Sequence, residues 1–335
     1  MKYILGMDVG GTKTDCIIAD EDGRLLSHAR SGSGNYEYYG IEKARAENQK
    51  AINGALEEAH LNIDDIAMAG LGVAGADLPE DFVMLEKEIY TPLFAETPRV
   101  IHNDSIAALK GGMTGKNGIV IICGTGAIAA GLSESGKTAR AGGLGAEYTD
   151  AWTGQTIGEE GLRSVWRALE GIIPSTTLTK LFVARSGFED AETLFTKVYR
   201  GEIEPDLLEP KAELVFHAAL DGDSMACDIL TSAGIFLGNM VNAVATKLDF
   251  TDQPLEIITA GSVFQDGAPI LIDAMEKVVQ QKTPNAAFKK PEFAPVIGAL
   301  MLGFEAANLL TDDLMQRIRE GILDAKTKFG IQLRN

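Results

Sequence analysis

Tyr3-Ile4-Leu5-Gly6-Met7-Asp8-Val9-Gly10-Gly11-Thr12-Lys13-Thr14 is the stretch whose reading decides the fold. Residues 3–7 form an apolar run of strand length that ends at Asp8, and a second apolar run occupies 16–19. Between them lies a glycine-rich turn, so the segment reads as strand, tight turn, strand. Paired glycines permit positive φ and let a ligand approach main chain without a Cβ in the way, and successive N–H groups in such a turn make a concave site for phosphate oxygens. A carboxylate at the strand end beside that turn is well placed to hold a hydrated Mg²⁺. On this stretch alone, a hairpin turn that merely contains glycines explains the sequence equally well.

Outward from that turn, residues 15–20 read as a second strand, Glu21-Asp22-Gly23 as a hairpin turn and 24–29 as a third strand. A polar loop at 32–40 precedes helical spacing over 41–60, carried by Ala44, Ala51, Ile52, Ala55 and Leu56. Residues 66–73 are a nearly all-apolar strand of the kind buried on both faces of a sheet. A proline-opened acidic helix follows over 79–90, then a short strand at 100–102 and a helix start over 105–110. The order βββαβαβα predicts an α/β unit in which an antiparallel hairpin set is extended by parallel strands with helical crossovers.

The same order begins again downstream: strand 118–123, a turn at Gly124-Thr125-Gly126, strand 127–132, hairpin turn 133–136 and strand 137–141. A long helical region over about 158–248 is broken at Pro174, Gly187, Pro205 and Gly222, and is followed by a buried-type strand at 255–260, a helix over 267–281 and an apolar helix over 295–310. We therefore expect a duplicated fold in two lobes, 1–117 and 118–335. The second lobe carries a helical insertion at about 156–248, and the last helix is free to pack back on the first lobe.

The 335 residues are 45% hydrophobic and 23% charged, enough for a large core in two domains. A net charge of −18 argues against nucleic acid or an anionic membrane as partner, since both need a basic face. Cys16, Cys123 and Cys227 are far apart and odd in number, which suits small apolar fillers in a reducing, cytoplasmic setting better than disulfides or metal ligands. Too few residues precede Asp8 for a signal peptide, and the longest weakly polar run, 119–131, contains too many glycines and polar positions to span a membrane.

Several local motifs compete for the chemistry. Residues 131–138 (GLSESGKT) fit the P-loop expression, but 139–145 are too glycine-rich to continue as the required helix. Gly124, Gly126 and Ala129 fit G-x-G-x-x-A, yet the chain reaches Gly131 and Ser133 too soon for a dinucleotide crossover helix. His102-Asn103-Asp104-Ser105 puts a carboxylate where a strand ends and a helix begins, the edge at which open α/β sheets bind ligands. Asp104 there is either a base that takes a proton from an attacking hydroxyl or a helix N-cap. Gly142-Gly143-Leu144-Gly145, with Asp150 and Trp152 after it, reads either as a ligand-holding loop or as an ordinary surface loop.

Taken together, Gly6 to Thr14, His102-Asn103-Asp104-Ser105, Ile122-Cys123-Gly124-Thr125-Gly126 and Thr259-Ala260-Gly261-Ser262 resemble the phosphate-1, connect-1, phosphate-2 and adenosine motifs of the sugar kinase, heat-shock chaperone and actin superfamily. Within it the chain resembles the BadF/BadG/BcrA/BcrD ATPase family, in its N-acetylglucosamine kinase-like branch. The resemblance implies a duplicated actin-like (ribonuclease H-like) fold around a central cleft for Mg²⁺ and ATP. It implies Asp8 on the metal, Gly10, Gly11, Thr12, Lys13, Thr14, Gly124, Thr125 and Gly126 on phosphates, Gly261 and Ser262 near adenosine, and Asp104 as general base. Asn35, Gly75, Asp77, Asp104, Gly143, Leu144 and Asp150 match sugar-contacting positions. Leu144 replaces a tryptophan of the family's GGWG, and Ala151 stands where its G-D-E-G-S-G has glutamate, so the sugar pocket departs from the pattern. No cysteine pair matches the iron–sulfur branch. The resemblance thus implies an amino-sugar kinase, of a kind expected to be a homodimer. An ATPase that drives a partner protein and a non-catalytic sugar sensor are the rivals, with dinucleotide binding last.

Overall fold

β1 (Tyr3–Val9) lies at the centre of a five-stranded sheet ordered β3-β2-β1-β4-β5, with β2 at Thr14–Asp20, β3 at Leu25–Ser31, β4 at Ile66–Val73 and β5 at Arg99–Asn103. β1 pairs antiparallel with β2 and parallel with β4, and β4 is parallel to β5. This is the hairpin set extended by parallel strands that the sequence predicts. The computed structural model describes residues 2–145, 147–203, 212–250, 253–265 and 269–329, so the expected helix break at Pro205 and the helix start at Gly267 lie outside the described residues.

A second five-stranded sheet has the order β10-β9-β6-β7-β8, from β6 (Gly118–Cys123), β7 (Ala127–Leu132), β8 (Thr138–Gly142), β9 (Leu255–Ala260) and β10 (Ala286–Lys289). Read from the other edge it repeats the first sheet: third, second, first, fourth and fifth strand. Ser133 to Gly136 closes the β7–β8 hairpin, with Gly136 N donating to Ser133 O at 2.8 Å, so the GLSESGKT segment is a turn and not a P-loop.

The chain divides into two units, residues 1–118 with 289–335, and residues 119–288. The carboxyl-terminal stretch from 289 therefore belongs with the first unit; the sequence puts 118–335 in the second lobe, with its last helix free to pack back on the first. The reason is apolar: the helix Pro295–Ala306 is buried along Val296, Ile297, Leu300, Met301 and Phe304, and with Leu314, Ile318 and Ile322 of the helix Asp312–Phe329 it covers Ile4, Ile17 and Ala19 on one face of the first sheet. The helix Ile41–Ala59 covers the other face, against Leu5, Met7, Cys16 and Leu71. Neither β10 nor the helix Asp312–Phe329 was foreseen, and the predicted 79–90 helix is α-helical over Pro79–Leu85, widens to a π turn over Glu86–Tyr90 and resumes at Thr91–Phe94.

In the second unit the helix Ser224–Lys247 is apolar and long enough to cross a membrane by composition, but it is a core helix. Ala233, Leu237, Val241 and Val244 are fully buried, and Gly238 lets the helix Pro269–Gln280 approach so closely that a Cβ would stand 2.9 Å from Met275 O. All three cysteines are free, and Cys16 and Cys123 are buried as apolar fillers.

Candidate active site

The register of the first sheet brings the predicted carboxylates to one edge. Asp8 of β1 is level with Gly72 of β4, and Gly72 with His102 of β5; one step on, Val9, Val73 and Asn103 are aligned. Asp104 is the next residue and the first of the helix Asp104–Gly112. Two carboxylates thus stand at the carboxyl ends of strands that flank β4. Gly72 between them carries no side chain, and a Cβ there would lie 2.5 Å from Ala107 Cβ and 3.5 Å from Asp104 Cα. The same helix is clamped from behind by Gly298, where a Cβ would overlap the Ala107 carbonyl. Bare backbone on both sides fixes where Asp104 begins.

The alternative reading of Asp104 as the helix cap does not hold. Asn103 is the cap: its Oδ1 accepts from Ser105 N at 3.0 Å and from the Ser105 hydroxyl, and its Nδ2 donates to Asp77 Oδ1 at 3.1 Å. Burial pushes the Asp104 carboxyl up to about 6; the Ser105 N–H opposes this, and the nearby charges of Asp77 and Glu37 add to it. Asp8 is pushed up to about 7, first by burial and then by the charges of Asp104 and Asp15, with Lys13 and Arg30 pulling the other way. An edge that raises the proton affinity of its own carboxylates is short of positive charge. It fits a divalent ion such as Mg²⁺, which proteins hold through one or two carboxylates together with water and substrate phosphates.

The glycine turn differs from its prediction in one respect. Neither Gly10 nor Gly11 has positive φ. The turn closes by Gly10 N donating to Lys13 O at 2.9 Å, and the glycines serve close approach: a Cβ on Gly11 would stand 3.1 Å from the ring of Tyr38, itself 70% exposed. Thr12 and Lys13 are exposed, whereas Thr14 is buried against Gly34, so any ligand contact from Thr14 is through main chain.

Behind the turn lies a cluster the sequence reading missed. Asp15, 3% exposed, sits opposite Asp8 on β1 and opposite Arg30 on β3. Its Oδ1 accepts from Arg30 Nε at 2.7 Å and lies 2.9 Å from His28 Nε2; its Oδ2 accepts from Arg30 Nη2 and from Lys13 Nζ, each at 3.1 Å. Burial alone would raise this carboxyl, but the His28 and Arg30 hydrogen bonds and the Lys13 charge hold it far below the usual range. The signal was available as hairpin arithmetic: the turn at Gly23 places Asp15 across from Arg30.

Asn35, Gly75, Asp77 and Asp104 also gather in the first unit. Asn35 Oδ1 caps the short helix Tyr36–Tyr39 through Glu37 N at 2.9 Å, and its Nδ2 donates to Glu37 Oε2 at 3.2 Å. Gly75 has φ 84°, and a Cβ on it would lie 3.1 Å from Asn35 Oδ1. Tyr36 donates its hydroxyl to Asp81 Oδ1 at 2.9 Å, bracing this loop against the segment that carries Asp77.

The second glycine turn is the centre of the second unit. Gly124 N donates to Gly126 O at 2.9 Å, and neither glycine has positive φ. Gly261, at φ 98°, packs directly on the Cys123 carbonyl, and Ser262 Oγ would lie 3.4 Å from a Cβ on Gly124, so the predicted adenosine and phosphate segments touch. The 142–145 loop is made by positive φ at Gly142, Gly143 and Gly145, and Leu144 is 44% exposed beside it. Asp150 is 2% exposed, and its Oδ1 accepts from Gly143 N and Thr149 Oγ1, both at 2.8 Å. Its Oδ2 accepts from Gly145 N at 3.1 Å and Ala127 N at 3.4 Å.

With two such turns, one on each of two sheets of identical order, the comparison with known proteins is direct. A model of the BadF/BadG/BcrA/BcrD ATPase family matches residues 5–303. The chain belongs to that family. Among curated relatives of this family member, the N-acetyl-D-glucosamine kinase of Dictyostelium discoideum is 31% identical over 91% of this chain and 98% of that protein. The N-acetylmuramic acid/N-acetylglucosamine kinase of Clostridium acetobutylicum is 26% identical over 90% and 98%. Among solved structures, the ROK hexokinase of Thermus thermophilus superposes with a TM-score of 0.58 at 14% identity, covering 91% of this chain and 99% of that one. The fold is therefore the duplicated actin-like one of the sugar kinases.

Proposed function

We propose that this family member is an ATP-dependent kinase that phosphorylates a hydroxyl of an amino sugar such as N-acetylglucosamine or glucosamine. The observation that carries the reading is the strand-end pair Asp8 and Asp104, fixed by register and by glycine packing, with Asp104 uncoupled from helix capping by Asn103. The names of the curated relatives supply the substrate class.

In this reading Asp104, ordinarily ionised above about pH 6, accepts the proton of the sugar hydroxyl. The freed oxygen attacks the γ-phosphorus of ATP, the bond to the bridging oxygen breaks, and ADP leaves. Asp77, with Asn35 and Gly75 nearby, positions the sugar. In the first unit the turn at Gly11, Thr12 and Lys13 is suited to phosphate oxygens; in the second unit the turn at Gly124 to Gly126 is suited to them likewise, with Gly261 and Ser262 beside it for the adenosine. Asp8 would hold Mg²⁺ through water; when bound, the ion neutralises charge on the phosphates.

The test is incubation with ATP and Mg²⁺ against a panel of amino sugars and plain hexoses, with product masses recorded. A sugar heavier by one phosphoryl group is expected with an amino sugar. Steady ADP release with no phosphorylated sugar from any member of the panel would instead make the protein an ATPase acting on a partner.

A further inference from the structure

We propose that Arg30 is a second phosphate-contacting cation beside Lys13, and that Asp15 is the positioning residue that holds both toward the first glycine turn. The motifs read from the sequence assign neither Arg30 nor Asp15. Register puts Arg30 on the Asp8 face of the sheet. Asp8 pairs with Asp15 and Asp15 with Arg30, so the three form one rung across β1, β2 and β3, and the side chains of a rung lie on the same face. Just past the end of β3 the chain returns to the turn, where the Ser33 hydroxyl donates to Gly10 O at 3.2 Å. Arg30 therefore stands close to the turn that carries Lys13, and both charges act on Asp8.

The charges in this cluster do not balance. Asp15 carries one negative charge, yet it takes Lys13 Nζ at 3.1 Å and the Arg30 fork at 2.7 and 3.1 Å, which leaves one positive charge over. His28, with Nε2 at 2.9 Å from Oδ1, adds no negative charge. The contrast is Glu160, which also takes two cations, Arg163 and Arg167; there Arg163 is shared with Glu159, so two charges of each sign meet. A guanidinium has five N–H donors, and Asp15 uses Nε and Nη2 alone. Among the described residues Nη1 has no hydrogen-bond partner, and the side chains of Arg30 and Lys13 are each 49% exposed. A chain of net charge −18 repels polyanions at long range, so a nucleotide phosphate needs local positive charge. An arginine whose fork is anchored on a buried carboxylate offers its remaining N–H edge already aimed, with less side-chain freedom to lose on binding. The identity of the ligand as ATP rests on the kinase reading; the surplus charge and the open N–H edge do not.

The test measures ATP and adenosine affinities by calorimetry for the wild type, Arg30→Met and Arg30→Lys. Arg30→Met leaves Lys13 to pair with Asp15. It is expected to weaken ATP about tenfold, the worth of one charged hydrogen bond, and to leave adenosine unchanged. Arg30→Lys keeps the charge without the fork and is expected to recover part of the loss. A merely structural arginine would weaken both ligands alike, and that result, or wild-type ATP affinity in Arg30→Met, overturns the proposal. If Arg30→Met does not fold, the wild type decides: ATP, and not adenosine, is expected to slow modification of Arg30 by phenylglyoxal, followed by peptide mass. Equal rates with and without ATP overturn the proposal. Should the wild type bind ATP but phosphorylate no sugar, the kinase reading fails while these arms still decide Arg30; a wild type that binds ATP no better than adenosine overturns the proposal itself.

Discussion

Asp15 and Asp150 are both buried carboxylates behind a glycine turn, one in each unit, and they are satisfied in opposite ways. Asp15 is surrounded by side-chain donors, His28, Arg30 and Lys13, presented by a hairpin whose register fixes who faces whom. Asp150 is surrounded mainly by main-chain N–H groups, presented by a glycine loop. The first arrangement brings charge to the turn: the Lys13 ammonium and the Arg30 guanidinium both act on Asp8. The second brings no net positive charge, because its donors are main-chain N–H groups and the Thr149 hydroxyl. One unit therefore sets the electrostatics of its turn with side chains, and the other sets the shape of its turn with a loop.

The largest effect is expected at the reacting edge. Asp104→Asn should lower kcat on the order of 10²–10⁴, the usual worth of a positioned base, with ATP and sugar binding retained. For the wild type, kcat/KM should fall about tenfold per pH unit below about 6, because the raised Asp104 carboxyl is then protonated and cannot accept a proton. A flat profile from pH 5 to 8 would remove Asp104 from the role.

Next comes the scaffold that fixes this edge. Gly298→Ala drives a Cβ into the Ala107 carbonyl and should cost about 3 kcal/mol or more in urea unfolding. Asp15→Asn should destabilise the first unit by about 2 kcal/mol, less than a fully buried ion pair would lose, because Lys13 and Arg30 are each about half exposed. If Asp15→Asn leaves stability unchanged, the contrast between the two carboxylates collapses.

The smallest effect has the reverse sign. The folded values of Asp8 and Asp104 are raised, so in the absence of ligands each favours the fold below the ordinary carboxylate range, and that contribution is lost as pH rises through about 6 to 7. Asp15 is depressed, so its contribution is complete at neutral pH and is lost only at strongly acid pH. Asp104→Asn is therefore expected to raise the melting temperature at pH 8 by a few degrees while lowering kcat, a trade of stability for function in one residue.

Most of the fold was legible because apolar runs and glycine turns specify it directly: the strands at 66–73, 118–123, 127–132 and 255–260 stand where the pattern puts them. The four-residue β10 and the helix Asp312–Phe329 were not, since a short edge strand carries little periodicity and the helix follows a break at Asn308, which has positive φ. At the site, Asp8 and Asp104 were readable as strand ends. The role of Asn103 was not, because a residue type does not reveal whether its oxygen faces a ligand or the chain's own N–H groups; hydrogen-bond geometry does. The glycine turns were found for a reason that holds only in part, since close approach and not positive φ selects Gly11.

The most direct test measures ADP and phosphorylated amino sugar in the same sample, for wild type and Asp104→Asn, with ATP and Mg²⁺ present. The account predicts equal amounts of the two products from the wild type and, in the same time, on the order of 10²–10⁴ less of both from the variant, although the variant still binds both substrates. ADP without sugar phosphate from the wild type, or wild-type yields from Asp104→Asn, would contradict it.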